Sequence, residues 1–566
     1  MAVASPMRPA LDRGDVSHWG ETRSALSRDA FWGLAEGYLR MVEAEPRVGG
    51  FALIVAPTSL DMMALFVALI AAGRTASFFP PSSARQDAEA YVEQQLQAVR
   101  AIGPSSLLLM QGQEGALGSL DLGLAGGTLP LPRLSQRPGG VPSGGSRAMA
   151  LFGQALGRTE PLFWQHSSGT TGIKKAVGIS GAALLGQFHG YWPQVAEAVG
   201  GGPIRVASWL PLYHDMGLLA GFLLPLIGGA SLAVMDPFDW VEAPQRFLEL
   251  IEAEESGVCW MPNFAYRHYT RLQRVMPRRR LGSMKAWICC SEPCRHPDAV
   301  AFEHAYEEAG VGPGSVLGCY AMAEAVFAAS QLEPGGQRAL VVGRGLKPGD
   351  TLQQAHAFET LDRHPAMGAD MQAVLSSGRP IGGMQASIFV GGQPADGEGV
   401  YGEIGLKSEF LFPGYRGQTP EQSNIRADGF YLTGDLGVIL DGRLYVFGRT
   451  KEIVIVNGKN LYVGDIEDRV GGVPGVRPGR AVAFGLESAA LGTEELVVVA
   501  ERDAACELSD AAIRAGIIAA VSDAFLVKPY DVQLTRARWL VKTTSGKISR
   551  AKNKAKYLRD FRPDLT

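Results

Sequence analysis

Cysteine is scarce in this chain, and what there is makes no metal-binding pattern. The six cysteines lie at 259, 289, 290, 294, 319 and 506. Cys289, Cys290 and Cys294 sit close to His296, but no second CxxC pair answers them, which argues against a zinc ribbon or finger. Buried free thiols suit a reducing compartment, and the cytoplasm is the expected location. An excess of one charge is also missing. Lys and Arg number 53 against 57 Asp and Glu, so no preference for nucleic acid or a membrane surface shows. Residues 1–15 have no apolar h-region, so no signal peptide is expected. The most apolar segment, 217–235, is broken by Pro225 and by Gly228-Gly229. Those breaks predict a buried helix over 218–226 and a short strand over 231–235, not a membrane span. The GxxxxGK[ST] pattern of a Walker A loop is absent as well.

A chain of 566 residues exceeds what one hydrophobic core organises, so at least two domains are expected. An apolar run at 51–56 ends at Pro57. A helical stretch at 60–72 follows, stops at Gly73, and leads to a strand at 75–79 closed by Pro80-Pro81. The alternation recurs with strands at 205–210, 230–235, 258–261, 284–290 and 315–319, and helices at 243–255 and 297–309. This predicts an α/β fold of parallel-type sheets with ligand loops at the strand C-termini. From about 373 to 447 the texture becomes turn-rich β, with strands at 386–390, 402–408, 429–433, 438–440 and 443–447. Beyond 448 a smaller α+β pattern follows, with strands at 495–501 and 531–540 around a helix at 509–525. The expected division is a large N-terminal domain over 1–450, including the β-rich subdomain, and a small C-terminal domain over 451–566. The Gly/Pro/Ser-rich stretch 137–147 reads as a loop.

The densest chemical signal is Gln165-His166-Ser167-Ser168-Gly169-Thr170-Thr171-Gly172-Ile173-Lys174-Lys175. Gly169 and Gly172 allow positive φ, which brings backbone N–H groups close to an anion. Ser168, Thr170 and Thr171 add hydroxyl donors, and Lys175 adds a point charge for phosphate oxygens. A polar surface turn has the same composition, so the loop does not decide the matter alone. Five further stretches accompany it in order: Trp209-Leu210-Pro211-Leu212-Tyr213-His214-Asp215-Met216-Gly217, Gly318-Cys319-Tyr320-Ala321-Met322-Ala323-Glu324, Tyr431-Leu432-Thr433-Gly434-Asp435, Gly448-Arg449-Thr450-Lys451-Glu452, and Thr543-Thr544-Ser545-Gly546-Lys547-Ile548.

Together these stretches resemble the adenylate-forming superfamily of acyl-CoA ligases, luciferases and peptide-synthetase adenylation domains, over nearly the whole chain. Within it, Leu210–Gly217, Pro262-Asn263-Phe264-Ala265-Tyr266, Tyr320–Ala325 and Gly458-Lys459-Asn460-Leu461-Tyr462 look like the motifs of fatty acyl-AMP ligases. The long path from Glu324 to Ser376-Ser377-Gly378-Arg379-Pro380 resembles the insertion that those enzymes carry, which is associated with poor use of free coenzyme A.

The resemblance implies two half-reactions: a carboxylate displaces pyrophosphate from ATP, and a pantetheine thiol then takes the acyl group from the adenylate. It implies that Ser168, Gly169, Thr170, Thr171, Gly172 and Lys175 hold phosphates, and that Glu324 helps bind Mg²⁺. Tyr320 and Ser291-Glu292-Pro293 would flank adenine, and Asp435 and Arg449 would fix the ribose. Lys547 would bridge the substrate carboxylate and the α-phosphate. His214 and Phe264 would line the acid pocket, and Lys451 would be the hinge about which a mobile C-terminal domain swings. The implied partners are a carboxylic acid, expected to be fatty, and a separate acyl carrier protein, since no room for a carrier domain follows Lys547. Departures from the pattern are Lys174, Cys290-Ser291, Ala321 and Val463-Gly464, none of which removes a group that the chemistry requires. Two alternatives stay open: an acyl-CoA ligase using free coenzyme A, and a non-catalytic nucleotide-binding relative.

Overall fold

The computed structural model describes residues 10–20, 23–81, 91–93, 96, 99, 102–110, 123–134, 146–167, 175–336, 339–343, 345–352, 356–358, 371–456, 459–488, 493–542 and 548–563. The first strand–helix–strand unit forms as the sequence predicts. Phe51–Val55 is a wholly buried strand, and the Ser59 hydroxyl caps the next helix by accepting from the Met62 N–H at 3.2 Å. Gly73, at φ +74°, ends that helix before Thr75–Phe79 pairs in parallel with the first strand. Every residue of the helix Leu60–Ala71 is buried. An all-round apolar helix needs cover on all sides, and it finds this between two sheets, touching strands of both.

One sheet has six strands in the order Thr128–Leu131, Ser106–Met110, Phe51–Val55, Thr75–Phe79, Pro161–Ser167 and Lys175–Ser180, parallel except for the last pair. The other runs Arg379–Pro380, Ala328–Gln331, Val316–Ala321, Ala286–Cys289, Val258–Met261, Arg205–Ser208, Ser231–Val234, Val16–Trp19 and Arg23–Leu26. From Val316–Ala321 through Val16–Trp19 all neighbours are parallel. The C-termini of these strands therefore share one edge, where ligands of open α/β sheets bind. The segment 217–235 becomes a π-helical stretch Met216–Leu223, a short helix Leu224–Ile227 and the strand Ser231–Val234. Among the described residues no helix is long and apolar enough to cross a membrane.

The β-rich region is a five-stranded antiparallel sheet. The two strands expected at 429–433 and 438–440 are one strand, Tyr431–Leu440, whose register slips between Leu436 and Gly437. A bulge of this kind bends a strand without ending it. The interval after Glu324 contributes a second, three-stranded sheet of Ala339–Gly343, His356–Phe358 and Met371–Leu375. Its Leu340, Val342 and Val374 pack with Val438 and Tyr445 of the five-stranded sheet, with Tyr401 just before one of its strands, and with Tyr462 from the C-terminal part.

The C-terminal part is built on Val476–Ser488, Thr493–Arg502 and Asp531–Thr535. Alternating side chains face opposite ways. Ala481, Ala483, Leu496 and Val498 join the core under the helices Val463–Gly471 and Asp510–Phe525. Val482, Phe484, Val497 and Val499 pack against Tyr557 of the helix Arg550–Phe561. The last strand ends at Thr535, short of the expected 540, and Arg538 beyond it takes a positive φ of 69° that no strand accommodates.

Candidate active site

The site is assembled along the shared C-terminal edge. Tyr320 is near the end of Val316–Ala321, and its ring is buried. Its hydroxyl donates to Asp435 Oδ2 at 2.5 Å, while Arg449 Nε donates to Asp435 Oδ1 at 3.0 Å. Asp435 and Arg449 are direct cross-strand partners, so the hairpin itself sets this pair. Burial pushes the Asp435 carboxyl up from its ordinary range, with Arg449 and Tyr320 pulling the other way. The same carboxylate raises the Arg449 guanidinium above its usual value.

Glu324 follows four residues after Tyr320 in the turn Ala323–Ala325 and is buried. Burial raises its carboxyl, and a hydrogen bond donated by the Tyr415 hydroxyl opposes that rise. Lys175 Nζ stands 4.3 Å from the centre of the Tyr415 ring, and Val177 bridges to Tyr415 through the backbone. Tyr415 thus joins the end of the hydroxyl-rich segment to Glu324. The sequence reading missed it; its only signal was the turn Phe412-Pro413-Gly414-Tyr415, where Gly414 takes φ +134°. Ser168, Gly169, Thr170, Thr171 and Gly172 lie outside the described residues. The strands on either side of them, Pro161–Ser167 and Lys175–Ser180, pair antiparallel up to Ser167 and Lys175.

His214 precedes the π-helical stretch, and its Nδ1 contacts the Asp215 carboxylate, which also accepts from the Met216 N–H at 2.8 Å. Met216 Sδ lies 2.9 Å from Cys290 Sγ and 3.6 Å from Ser291 Oγ, which seats the His214 segment against the Ser291-Glu292-Pro293 turn. Ser291 has φ +69°, a strained conformation for a residue with a Cβ. Glu292 accepts from the Phe264 N–H at 3.1 Å, and Pro293 is exposed. Phe264 is 40% exposed and stands edge-on to Trp209 and Trp240, at 6.3 and 6.0 Å between ring centres. Those two indoles stack 3.8 Å apart and within 5° of parallel. An apolar wall therefore occupies the edge beyond Phe264, and Trp240 is a member that the sequence did not single out.

Lys451 is exposed in the turn Thr450–Glu452. Lys547 lies outside the described residues, but Lys542 and Ile548 on either side of 543–547 form an antiparallel bridge. Lys542 is pushed down to about 8, by desolvation first and by Arg480, with Glu501 and Glu292 acting in the opposite sense. Lys542 therefore lies within the electrostatic reach of Glu292. A polar seam holds this arrangement. Arg267 binds Asp298 at 2.7 Å and Asp468 at 2.9 Å, while Arg295 binds Asp465 at 3.2 Å and Asp468 at 2.6 Å. Asp465 and Asp468 belong to the C-terminal helix Val463–Gly471, and the arginines to the large part.

Residues 39–416 match the model of the AMP-binding enzymes. The medium-chain-fatty-acid–[acyl-carrier-protein] ligase JamA of Moorena producens is 30% identical over 423 residues, which cover 70% of this chain and 67% of JamA. The long-chain-fatty-acid–AMP ligase FadD26 of Mycobacterium marinum is 29% identical over 430 residues, covering 70% of each. A solved structure from a study of fatty acyl-adenylate ligases of E. coli and L. pneumophila superimposes with a TM-score of 0.77 over 98% of both chains, at 22% identity. This chain belongs to the AMP-binding enzymes, the adenylate-forming family, and resembles the fatty acyl-AMP ligases among them.

Proposed function

We propose that the protein activates a carboxylic acid, probed first as a fatty acid, by forming an acyl-adenylate from ATP and then loads the acyl group onto the phosphopantetheine thiol of a separate carrier protein in the cytoplasm. The observation that carries this reading is the continuous edge from the Trp209–Trp240–Phe264 wall, past Ser291, to Tyr320, Glu324 and the Asp435–Arg449 pair. The wall suits an apolar acid, and the opposite end suits a nucleotide.

In the first step a carboxylate oxygen attacks the α-phosphorus, the bond to pyrophosphate breaks, and pyrophosphate leaves with the electron pair. Two anions must approach, so cations and N–H groups have to offset their repulsion beforehand. The 168–172 segment and Lys175 would hold the phosphates. Tyr320 and Ser291-Glu292-Pro293 would flank adenine, and Asp435 with Arg449 would take the ribose. His214 would face the acid carboxylate. The buried carboxylate of Glu324 is a hard oxygen donor, which fits Mg²⁺ completed by phosphate oxygens, and a bound Mg²⁺ would supply charge neutralisation. Lys547 would stabilise the charge that builds in the transition state, an effect of about 3–4 kcal/mol for one preorganised group. In the second step a thiol sulfur attacks the acyl carbon, the thiol proton is lost, and AMP leaves. For that step the part from Lys451 onward would swing and withdraw Lys547, with 1–450 as the stationary body.

The test supplies purified protein with ATP, a panel of acids, and either coenzyme A or a holo-carrier protein. Acyl-carrier formation with little acyl-CoA is the expected result, and efficient acyl-CoA formation would overturn the acceptor assignment. Lys547→Ala is expected to lose ATP–pyrophosphate exchange by about 10²–10³; unchanged exchange would point to a different catalytic cation.

A further inference from the structure

We propose that the exposed strip Arg271, Arg274, Val275 and Arg278 is the surface on which the acidic face of a carrier protein docks during transfer, an inference that rests on the carrier-loading reading above. Residues 256–291 contain no Asp or Glu but carry six arginines and one lysine, although acidic residues number 57 of 566 overall. The segment is therefore cationic by a margin that the balanced chain does not share. It also starts at the site. Phe264 opens the helix Asn263–Leu272, and one turn later Arg267 reaches the seam acid Asp468. Arg271, four residues on, lies on the same helix face as Arg267; desolvation and the charge of Arg267 lower its pKa, with Asp298 and Asp468 opposing. The strip thus begins at the rim where the large and small parts meet, and on the carrier-loading reading the thiol arm enters there.

Neighbouring charges separate the strip from ordinary surface arginines. Arg279 and Arg280 are held by Glu249 and Glu252. Arg278 meets only Glu308, at 3.2 Å with both side chains largely in solvent, a pair worth little. Arg271 and Arg274 are exposed and make no ion pair among the described residues. Val275, at 78% exposed, puts an apolar contact amid these charges. Charged rim residues of this kind steer encounter and set its salt dependence, and an apolar centre completes a small transient interface.

The test compares wild type with the double variant R271E/R274E in three assays: ATP–pyrophosphate exchange, acyl transfer to free pantetheine, and acyl transfer to a holo-carrier protein. Exchange and pantetheine transfer are expected to stay unchanged, while KM for the carrier rises about tenfold with kcat retained and a weaker salt dependence. R271K/R274K is expected to restore the wild-type KM. An unchanged carrier KM, or a parallel fall in all three assays, would overturn the proposal. So would loss of binding to phosphatidylglycerol vesicles with carrier loading intact, which would assign the strip to a membrane surface. Wild-type protein that exchanges pyrophosphate but loads no holo-carrier would instead refute the acceptor reading, before docking is in question.

Discussion

Replacing Asp468 with Asn is expected to separate the two half-reactions. Asp468 accepts from Arg267 at 2.9 Å and forms an ion pair with Arg295 at 2.6 Å, and all three side chains keep about 30% of their exposure (31, 30 and 28%). A hydrogen bond to a charged group contributes about 1.5–3 kcal/mol when well shielded. Partial exposure reduces that figure, and Asp298 and Asp465 remain to receive the two guanidiniums. A net loss of about 2 kcal/mol of docking energy is therefore reasonable. That loss displaces the equilibrium between docked and swung arrangements by about 30-fold. If the docked arrangement serves acid activation, ATP–pyrophosphate exchange falls by up to that factor. Single-turnover transfer from a preformed acyl-adenylate to the thiol is then unchanged or faster. Asp465→Asn, which removes one longer contact, should show a smaller effect in the same direction. An equal fall in both half-reactions, or no change in either, would refute the seam as the element that selects between them.

Other outcomes follow from the same geometry. Glu324→Gln keeps an acceptor for Tyr415 but removes the charge, so it is expected to raise the Mg²⁺ concentration needed for half-maximal exchange at least tenfold with the melting temperature little changed; an unaltered Mg²⁺ titration would exclude Glu324 as a ligand. Phe264→Ala opens the exposed side of the aromatic wall, so the KM for the preferred acid should rise several-fold while the KM for ATP stays put, as steady-state pyrophosphate release can show. Asp236 accepts from the Thr58 N–H at 2.7 Å and the Phe238 N–H at 2.8 Å, and burial pushes it up to about 6. Its folded value lies above its unfolded one, so the stability it contributes is complete below about pH 4 and is lost as pH rises through about 6. At about 1.4 kcal/mol per unit, the advantage of wild type over Asp236→Asn should shrink by up to about 3 kcal/mol between pH 4 and pH 7. Urea unfolding at both pH values measures this, and an advantage that grows with pH would contradict the assignment.

Much of the scaffold was legible because local signals and burial agree there. Val258–Met261 and the helix that starts after Ser509 form where the pattern puts them, since a buried parallel strand is a short apolar run and serine caps a helix. The strands Val16–Trp19 and Val476–Ser488 escaped notice for opposite reasons. The first is short and polar in part, and it joins the large sheet through a parallel partner, Ser231–Val234, more than two hundred residues away. The second contains Pro478 and Gly479, turn-forming residues that here sit at an irregularity in a long strand paired to Thr493–Arg502. Glu324, Asp435 and Arg449 could be named as candidates from their motifs, yet the link between Lys175 and Glu324 through Tyr415 could not. Those residues are brought together by the start of a strand, a turn after a strand of the other sheet and a loop, and no spacing within the chain encodes that. The arginine and aspartate seam was hidden for the same reason.

The distribution of thiols has a practical consequence. Five of the six cysteines are sealed inside the large part, while Cys506, in a turn of the small part, alone keeps partial contact with solvent. A maleimide dye should therefore find Cys506 without any cysteine having to be deleted. With Val241→Cys, at a position 47% exposed on the large part, the doubly labelled protein becomes an energy-transfer ruler across the seam, able to follow reorientation during turnover.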